Sequence, residues 1–174
     1  MKKLKSQRPK RMHWLAGVIN DRKYAIGAEI GAASGDTTLY IFKNCPTLKH
    51  LVVADNWSPM PNSGWHGMDT KRTFFIRLHH LLPKIKVLEG LSWNMAQNVE
   101  DNSLDFIFID ADHNYESVVK DIRAWVPKVK AGGMVSGHDT HFEGVQKALA
   151  ELIPTHIKES VDHCWQAKKE DVLI

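Results

Sequence analysis

Residues 104–116, LDFIFIDADHNYE, decide the fold. A short run dominated by Leu, Phe and Ile ends abruptly in acids and a histidine. Its length and its β-branched and aromatic content read as a strand buried on both faces, the kind found inside a parallel sheet. Parallel strands need a crossover, usually a helix. The next stretch supplies one, because Tyr115–Val129 sets Val118, Val119, Ile122, Trp125 and Val126 at helical spacing, with Pro127 near its end.

The same unit recurs on either side. Tyr24–Ile30 (YAIGAEI), His50–Ala54 (HLVVA), Lys86–Leu88 and Met134–Ser136 read as strands. Asp36–Asn44, Asp69–Leu82, Trp93–Val99 and Glu143–Ile153 read as helices, with Asp36 as a candidate N-cap and Met12–Asn20 as a lead-in helix. Gly132–Gly133 punctuate the chain before the fifth strand. His156–Val161 and His163–Lys168 read as an antiparallel hairpin turning near Asp162. Five βα units and a closing hairpin make an α/β, Rossmann-like, doubly wound and mostly parallel sheet.

Composition bounds the rest. The 174 residues suit one domain, and the 43% apolar content predicts a packed core rather than disorder. No apolar run approaches the ~18 residues of a membrane span. The two cysteines, Cys45 and Cys164, lack metal-type spacing and fit a reducing, cytoplasmic setting. The formal net charge is +3, but Lys2, Lys3, Lys5, Arg8, Lys10 and Arg11 hold six positive charges, so the remainder is acidic by 3. This divides the chain into a basic tail over 1–11 and a single domain over 12–174. A tail of this kind is usually solvated and can weakly attract acidic partners.

Open α/β sheets bind ligands beyond the C-terminal ends of their strands. The first strand ends in Glu29-Ile30-Gly31-Ala32-Ala33-Ser34-Gly35. Gly31 and Gly35 permit a tight turn and a close approach of backbone to ligand. This is not the dinucleotide pattern G-x-G-x-x-G, and the Glu29 carboxylate would repel a diphosphate but attract an ammonium group. The second strand ends at Asp55, placed to accept hydrogen bonds from ribose hydroxyls, with Asn56 and Trp57 beside it. Gly90, Leu91 and Ser92 follow the third, and their small members suit a sugar or purine edge. Asp110, Asp112 and His113 follow the fourth; His138, Asp139 and His141 follow the fifth. Such a grouping can bind a divalent metal or move a proton. The long loop Asn56–Gly67, with His66, reads as a connection or a lid.

The ordered stretches AEIGAASGDTT (28–38), VVADNW (52–57), VLEGLS (87–92), DFIFIDADHNYESVVKDIRAW (105–125) and GGMVSGHDTHFEGVQKAL (132–149) resemble class I S-adenosylmethionine (SAM)-dependent methyltransferases. In particular they resemble small bacterial methyltransferase domains with an I-D-x-x-H segment and a later H-D pair. The resemblance covers residues 24–168 and implies a seven-stranded sheet with an antiparallel last strand. It implies that the loop Glu29–Gly35, with Ala33 and Thr37, cradles the methionine part of SAM. Asp55 would hold the ribose, with Asn56 and Trp57 also on the cofactor and Trp57 against an adenine or a substrate, and Gly90, Leu91 and Ser92 would lie near the adenine. Related O-methyltransferases place a metal ligand at the position of Asp110, a ligand pair at His138 and Asp139, and a base at His113. The family ligand pairs are Asp-Asn or Glu-Asp, so the nitrogen of His138 departs from oxygen-only magnesium coordination. The resulting expectation is O-methylation of a small hydroxylated metabolite or sugar, with His113 and Asp110 catalytic and magnesium or a similar ion at Asp110, His138 and Asp139. An NAD(P)-dependent oxidoreductase and a nucleic-acid-directed protein using its basic tail are the alternatives. A nucleic-acid methyltransferase is a mixed case, weakened by the lack of an N-P-P-aromatic motif after the fourth strand. A membrane partner is not expected, and self-association stays open.

Overall fold

The computed structural model of the chain describes residues 11–59 and 67–174. Seven strands form one sheet in the order β3-β2-β1-β4-β5-β7-β6. They are β1 (Ile26–Ile30), β2 (His50–Asp55), β3 (Ile85–Glu89), β4 (Leu104–Ile109), β5 (Val129–Gly137), β6 (Ile157–Lys158) and β7 (Trp165–Lys168). The first five run parallel; β7 pairs antiparallel with both β5 and β6. The chain order reverses between β1 and β4, which is where a doubly wound sheet opens its ligand crevice.

The side-chain alternation of the strands divides the core into two layers. Ala28, Ile30, Val52, Ala54, Ile107 and Ile109 face α5 (Tyr115–Trp125) and α6 (Glu143–Leu152). Leu51, Val53, Phe106 and Phe108 face α1 (Arg11–Arg22), α2 (Asp36–Asn44) and α3 (Gly67–Leu78). A period of two in a strand covered on both sides produces this division. Asp105, the polar member of β4, pins the start of β1 by accepting the backbone N–H groups of Ala25 and Ile26 at 2.8 Å each. Lys130 covers its other oxygen at 2.6 Å.

Several boundaries differ from the sequence reading. The helix expected over Tyr115–Val129 stops at Trp125, and Val129 already opens β5. That strand runs through Gly132 and Gly133, which were expected to separate it from the helix. A register shift in the β4–β5 pairing absorbs them, and a Cβ on Gly133 would meet Val129 Cγ1 at 2.5 Å. The helix expected over Asp69–Leu82 becomes a 3₁₀ turn from His79, before Pro83. The N-cap of α2 is Gly35, at φ 78°, rather than Asp36. Asp36 instead pairs with Arg77 at 2.7 Å. The hairpin keeps its turn at Asp162 and His163, both in left-handed backbone, but β6 is only two residues long. The centre of the expected Asn56–Gly67 loop, with His66, lies outside the described residues. Among those described, no helix is long and apolar enough to cross a membrane.

Candidate functional site

A cavity of about 530 Å³ opens at the C-terminal ends of β1 to β5. Drug-sized ligands occupy volumes of this order. Glu29, Gly31, Ala33, Thr37, Asp55, Asn56, Trp57, Gly90, Leu91, Ser92, Asp110, His113, His138 and Asp139 all line it. Of the residues the sequence singled out, Gly35 and His141 stand off the wall, and Gly35 acts through the turn that starts α2.

The β1 turn is built by close packing. Gly31 has φ 86°, and a Cβ there would lie 2.2 Å from the carbonyl oxygen of Asp110. Only glycine allows the end of β1 to sit this near the end of β4. Asp55 then fixes the turn by accepting the N–H groups of Ala32 and Ala33 on Oδ2, each at 2.8 Å. Its Oδ1 accepts the Trp57 N–H at 2.7 Å and keeps a lone pair for a further donor. Trp57 is held by its indole N–H on the Ala33 carbonyl at 2.9 Å and by edge contact with Phe74 at 5.4 Å. It is therefore mainly a packing residue whose remaining surface borders the cavity.

Glu29 is 2% exposed. Burial pushes its carboxyl up to about 8, against which the Thr38 hydroxyl, donating to Oε2, lowers it and the nearby Asp110 raises it further. An acid kept neutral in this way ionises when a cation arrives beside it.

At the other end of the cavity, acids and histidines form a chain. Arg11 Nε lies 2.7 Å from Asp110 Oδ2. His138 Nδ1 lies 3.4 Å from Asp110 Oδ1 and 2.9 Å from Asp139 Oδ1. His113 Nε2 lies 2.6 Å from Asp139 Oδ2, and the ring stacks on Phe142 with centroids 4.2 Å apart. Asp139 has φ 69°, in the left-handed region that non-glycine residues seldom occupy. Burial would raise Asp139, but His113 and His138 hold it well below the usual carboxylate range. Burial would lower His138, yet Asp110 and Asp139 push it up to about 9. The hydrogen bond to Asp139 raises His113 above an ordinary histidine, ahead of a smaller opposing effect of burial.

The donor atoms of Asp110, His138 and Asp139 lie within 4.8 Å of one another. Both ring nitrogens of His138 are buried without an aligned hydrogen bond, and one could serve as a ligand once the ring has lost its proton. Two oxygens and one nitrogen fit a borderline divalent ion better than magnesium. Arg11 already neutralises Asp110 and would compete with such an ion.

Three contributors escaped the sequence reading. Arg11, counted with the basic tail, opens α1 and reaches Asp110. Asp162, read only as a turn residue, accepts the Arg11 backbone N–H at 3.0 Å and lies 3.7 Å from His138 Nε2. Asp121 is 1% exposed on α5 and receives the Ser92 hydroxyl. An acid at the helical phase of Val118, Ile122 and Trp125 was a visible signal, because charges rarely occupy a buried face unpaired.

A family model described as a methyltransferase domain matches residues 28–140. An uncharacterised protein of Sinorhizobium fredii, y4gI, is 26% identical over 104 residues, or 58% of this chain. The match spans only 11% of that protein's length. Solved structures that share the fold include the following three. A putative caffeoyl-CoA O-methyltransferase from Staphylococcus aureus is 18% identical, with TM-score 0.68, over 89% of this chain and 80% of that one. The methyltransferase PaMTH1 of Podospora anserina, bound to S-adenosylhomocysteine (SAH), is 18% identical, with TM-score 0.68, over 90% and 76%. An O-methyltransferase from Bacillus cereus in complex with SAH is 14% identical, with TM-score 0.68, over 95% and 84%.

Proposed function

Because the chain belongs to the methyltransferase domain family, we propose that it moves a methyl group from SAM to a hydroxyl oxygen of a small metabolite or sugar. The observation that carries this is the placing of Glu29 and Asp55 on one cavity with the Asp110–His138–Asp139–His113 chain. The first pair suits a zwitterionic amino acid joined to a ribose. The second suits proton removal from an acceptor. Glu29, beside the turn that a dinucleotide would need for its phosphates, weighs against an NAD(P) site.

SAM supplies a methyl group on a sulfonium that is already a good leaving group. The protein must align the acceptor and take its proton, because an alcohol is a weak nucleophile near neutral pH. Glu29 receives the ammonium end, and the remaining lone pair of Asp55 receives a ribose hydroxyl. The N-terminal turn of α2, which includes Thr37, presents N–H groups to the carboxylate. His113 is the base: with its Nε2–H on Asp139, the lone pair falls on Nδ1. Asp139 fixes that tautomer, and Phe142 fixes the ring plane. Asp110 and Arg11 border the acceptor side. A divalent ion held by Asp110, His138 and Asp139 would lower the pKa of the acceptor hydroxyl. The buried thiols of Cys45 and Cys164 accord with a reducing, cytoplasmic setting.

Calorimetric titration of the purified protein with SAH tests the reading. Micromolar binding is expected, and absence of heat up to millimolar SAH would overturn it. Methyl incorporation from labelled SAM into a panel of sugars, phenols and aliphatic alcohols then identifies the acceptor.

A further inference from the structure

Arg11 does more than sit beside Asp110. It opens α1, and the hairpin turn fixes its backbone there, because Asp162 Oδ2 accepts the Arg11 N–H at 3.0 Å. The residue lines the cavity with Asp110 and His138, and its side chain is 32% exposed. Nε is buried 2.7 Å from Asp110 Oδ2, but without the alignment of a hydrogen bond. Nη1 and Nη2 are not buried, and among the described residues they make no hydrogen bond or ion pair. A guanidinium carries five N–H donors in a fixed fork, so the four on the terminal nitrogens stand open.

A purely structural ion pair does not account for this arrangement. An arginine that served only to offset Asp110 would meet it side-on through two nitrogens, the bidentate geometry such pairs favour. Asp110 is also not reserved for Arg11, since its Oδ1 faces His138 at 3.4 Å. Open donors on a ligand cavity are presented to whatever enters it. The planar fork matches the two oxygens of a carboxylate or phosphate better than it matches any neutral group. Its place narrows the ligand further. Arg11, Asp110, His138, Asp139 and His113 follow one another along one wall. The fork stands at one end of this row and the base at the other, and a small acceptor can bridge them.

We propose that Arg11 is a specificity-determining residue that selects an acceptor bearing an oxyanion, carboxylate or phosphate, a few bonds from the hydroxyl that receives the methyl group. The inference rests on the methyl-transfer reading above and narrows its substrate class to hydroxy acids and sugar phosphates. A neutral polyol of the same size leaves the fork unmatched, and a site built for a charged partner discriminates against an analogue that lacks it.

The test is calorimetry on the full chain saturated with SAH. It is titrated at pH 7 with glycerol 3-phosphate, glycerate and glycerol, which share a vicinal diol and differ in the oxyanion. At least one anionic probe is expected to bind about tenfold or more tightly than glycerol, and which one does so separates phosphate from carboxylate. Arg11→Gln removes the charge and the fork and is expected to abolish this preference. Arg11→Lys keeps the charge without the fork and is expected to weaken anion binding by about threefold or more; it decides the matter should Arg11→Gln fail to fold. No anion binding up to about 10 mM overturns the role of Arg11. Anion binding that keeps its full strength in whichever variant folds, as binding by the basic tail would, overturns it too. Failure of the unaltered protein to bind SAH instead overturns the methyl-transfer reading.

Discussion

Replacing Glu29 with Gln separates the electrostatic state of the empty site from its occupied state. In the folded chain the Glu29 carboxyl titrates at about 8 instead of 4.5, mainly because it is buried. Between these values the folded state holds a proton that the unfolded chain has lost. Stability from this group is therefore complete below pH 4.5 and is lost as pH rises toward 8. The slope is about 1.4 kcal/mol per pH unit, so roughly 3 kcal/mol disappears between pH 5.5 and 7.5. Glutamine keeps the shape and the Thr38 contact but does not titrate. Urea unfolding of the ligand-free protein at both pH values should show the variant gaining roughly 3 kcal/mol on the unaltered protein across this interval. Parallel pH profiles would refute the buried, neutral acid. Ligand binding should reverse the advantage. An ammonium at Glu29 favours the carboxylate, so SAH binding at pH 7 should release about 0.9 proton, measured by calorimetry in buffers of different ionisation enthalpy. The variant should release almost none from this source and bind more weakly.

His113→Ala should lower methyl transfer by about 10²- to 10⁴-fold while SAH affinity, read by calorimetry, stays within about threefold; full turnover would remove the base. Arg11→Ala leaves Asp110 without its cation and should raise Mn²⁺ affinity by about tenfold or more, a gain of ~1.4 kcal/mol seen in a metal titration. An unchanged metal affinity would show that Arg11 and the ion do not compete. Gly31→Ala forces a Cβ to 2.2 Å from the Asp110 carbonyl oxygen in left-handed backbone. It should cost about 2–4 kcal/mol in urea unfolding, and a loss under 1 kcal/mol would refute the close packing.

The sheet was legible because its signals are local. LDFIFI and HLVVA are too short and too apolar for surface helices, and the acids at their ends mark where each strand leaves the core. The strand-end rule then brought Glu29, Asp55, Asp110 and His138 together without any long-range information. The β5 boundary was not legible, because two glycines usually break a strand. Here the crowding of Gly133 by Val129 and the Asp105 carbonyl makes glycine a packing requirement inside it. Arg11 and Asp162 were hidden for another reason. Each owes its place to a partner more than a hundred residues away, such as the Arg11–Asp162 contact across 151 positions. No pattern within a helix or hairpin encodes such a meeting. Asp121 was readable from its helical phase, but only the folded chain shows that it receives the Ser92 hydroxyl beside the cavity.

The contact between Arg11 and Asp162 has a consequence for biosynthesis. A sequence separation of 151 residues means that this contact waits for the hairpin turn, although the first helix already docks on β4 and α2 through Leu15 and Ile19. On a ribosome the early βα units can pair as they emerge, since domains begin folding from the N-terminal side during synthesis. His138 gains its neighbour Asp162, and Arg11 its backbone anchor, only after the hairpin around Asp162 has left the exit tunnel. A nascent chain stalled before Asp162 would carry the cavity walls Glu29 and Asp55 while its cluster of acids and histidines stayed unbraced.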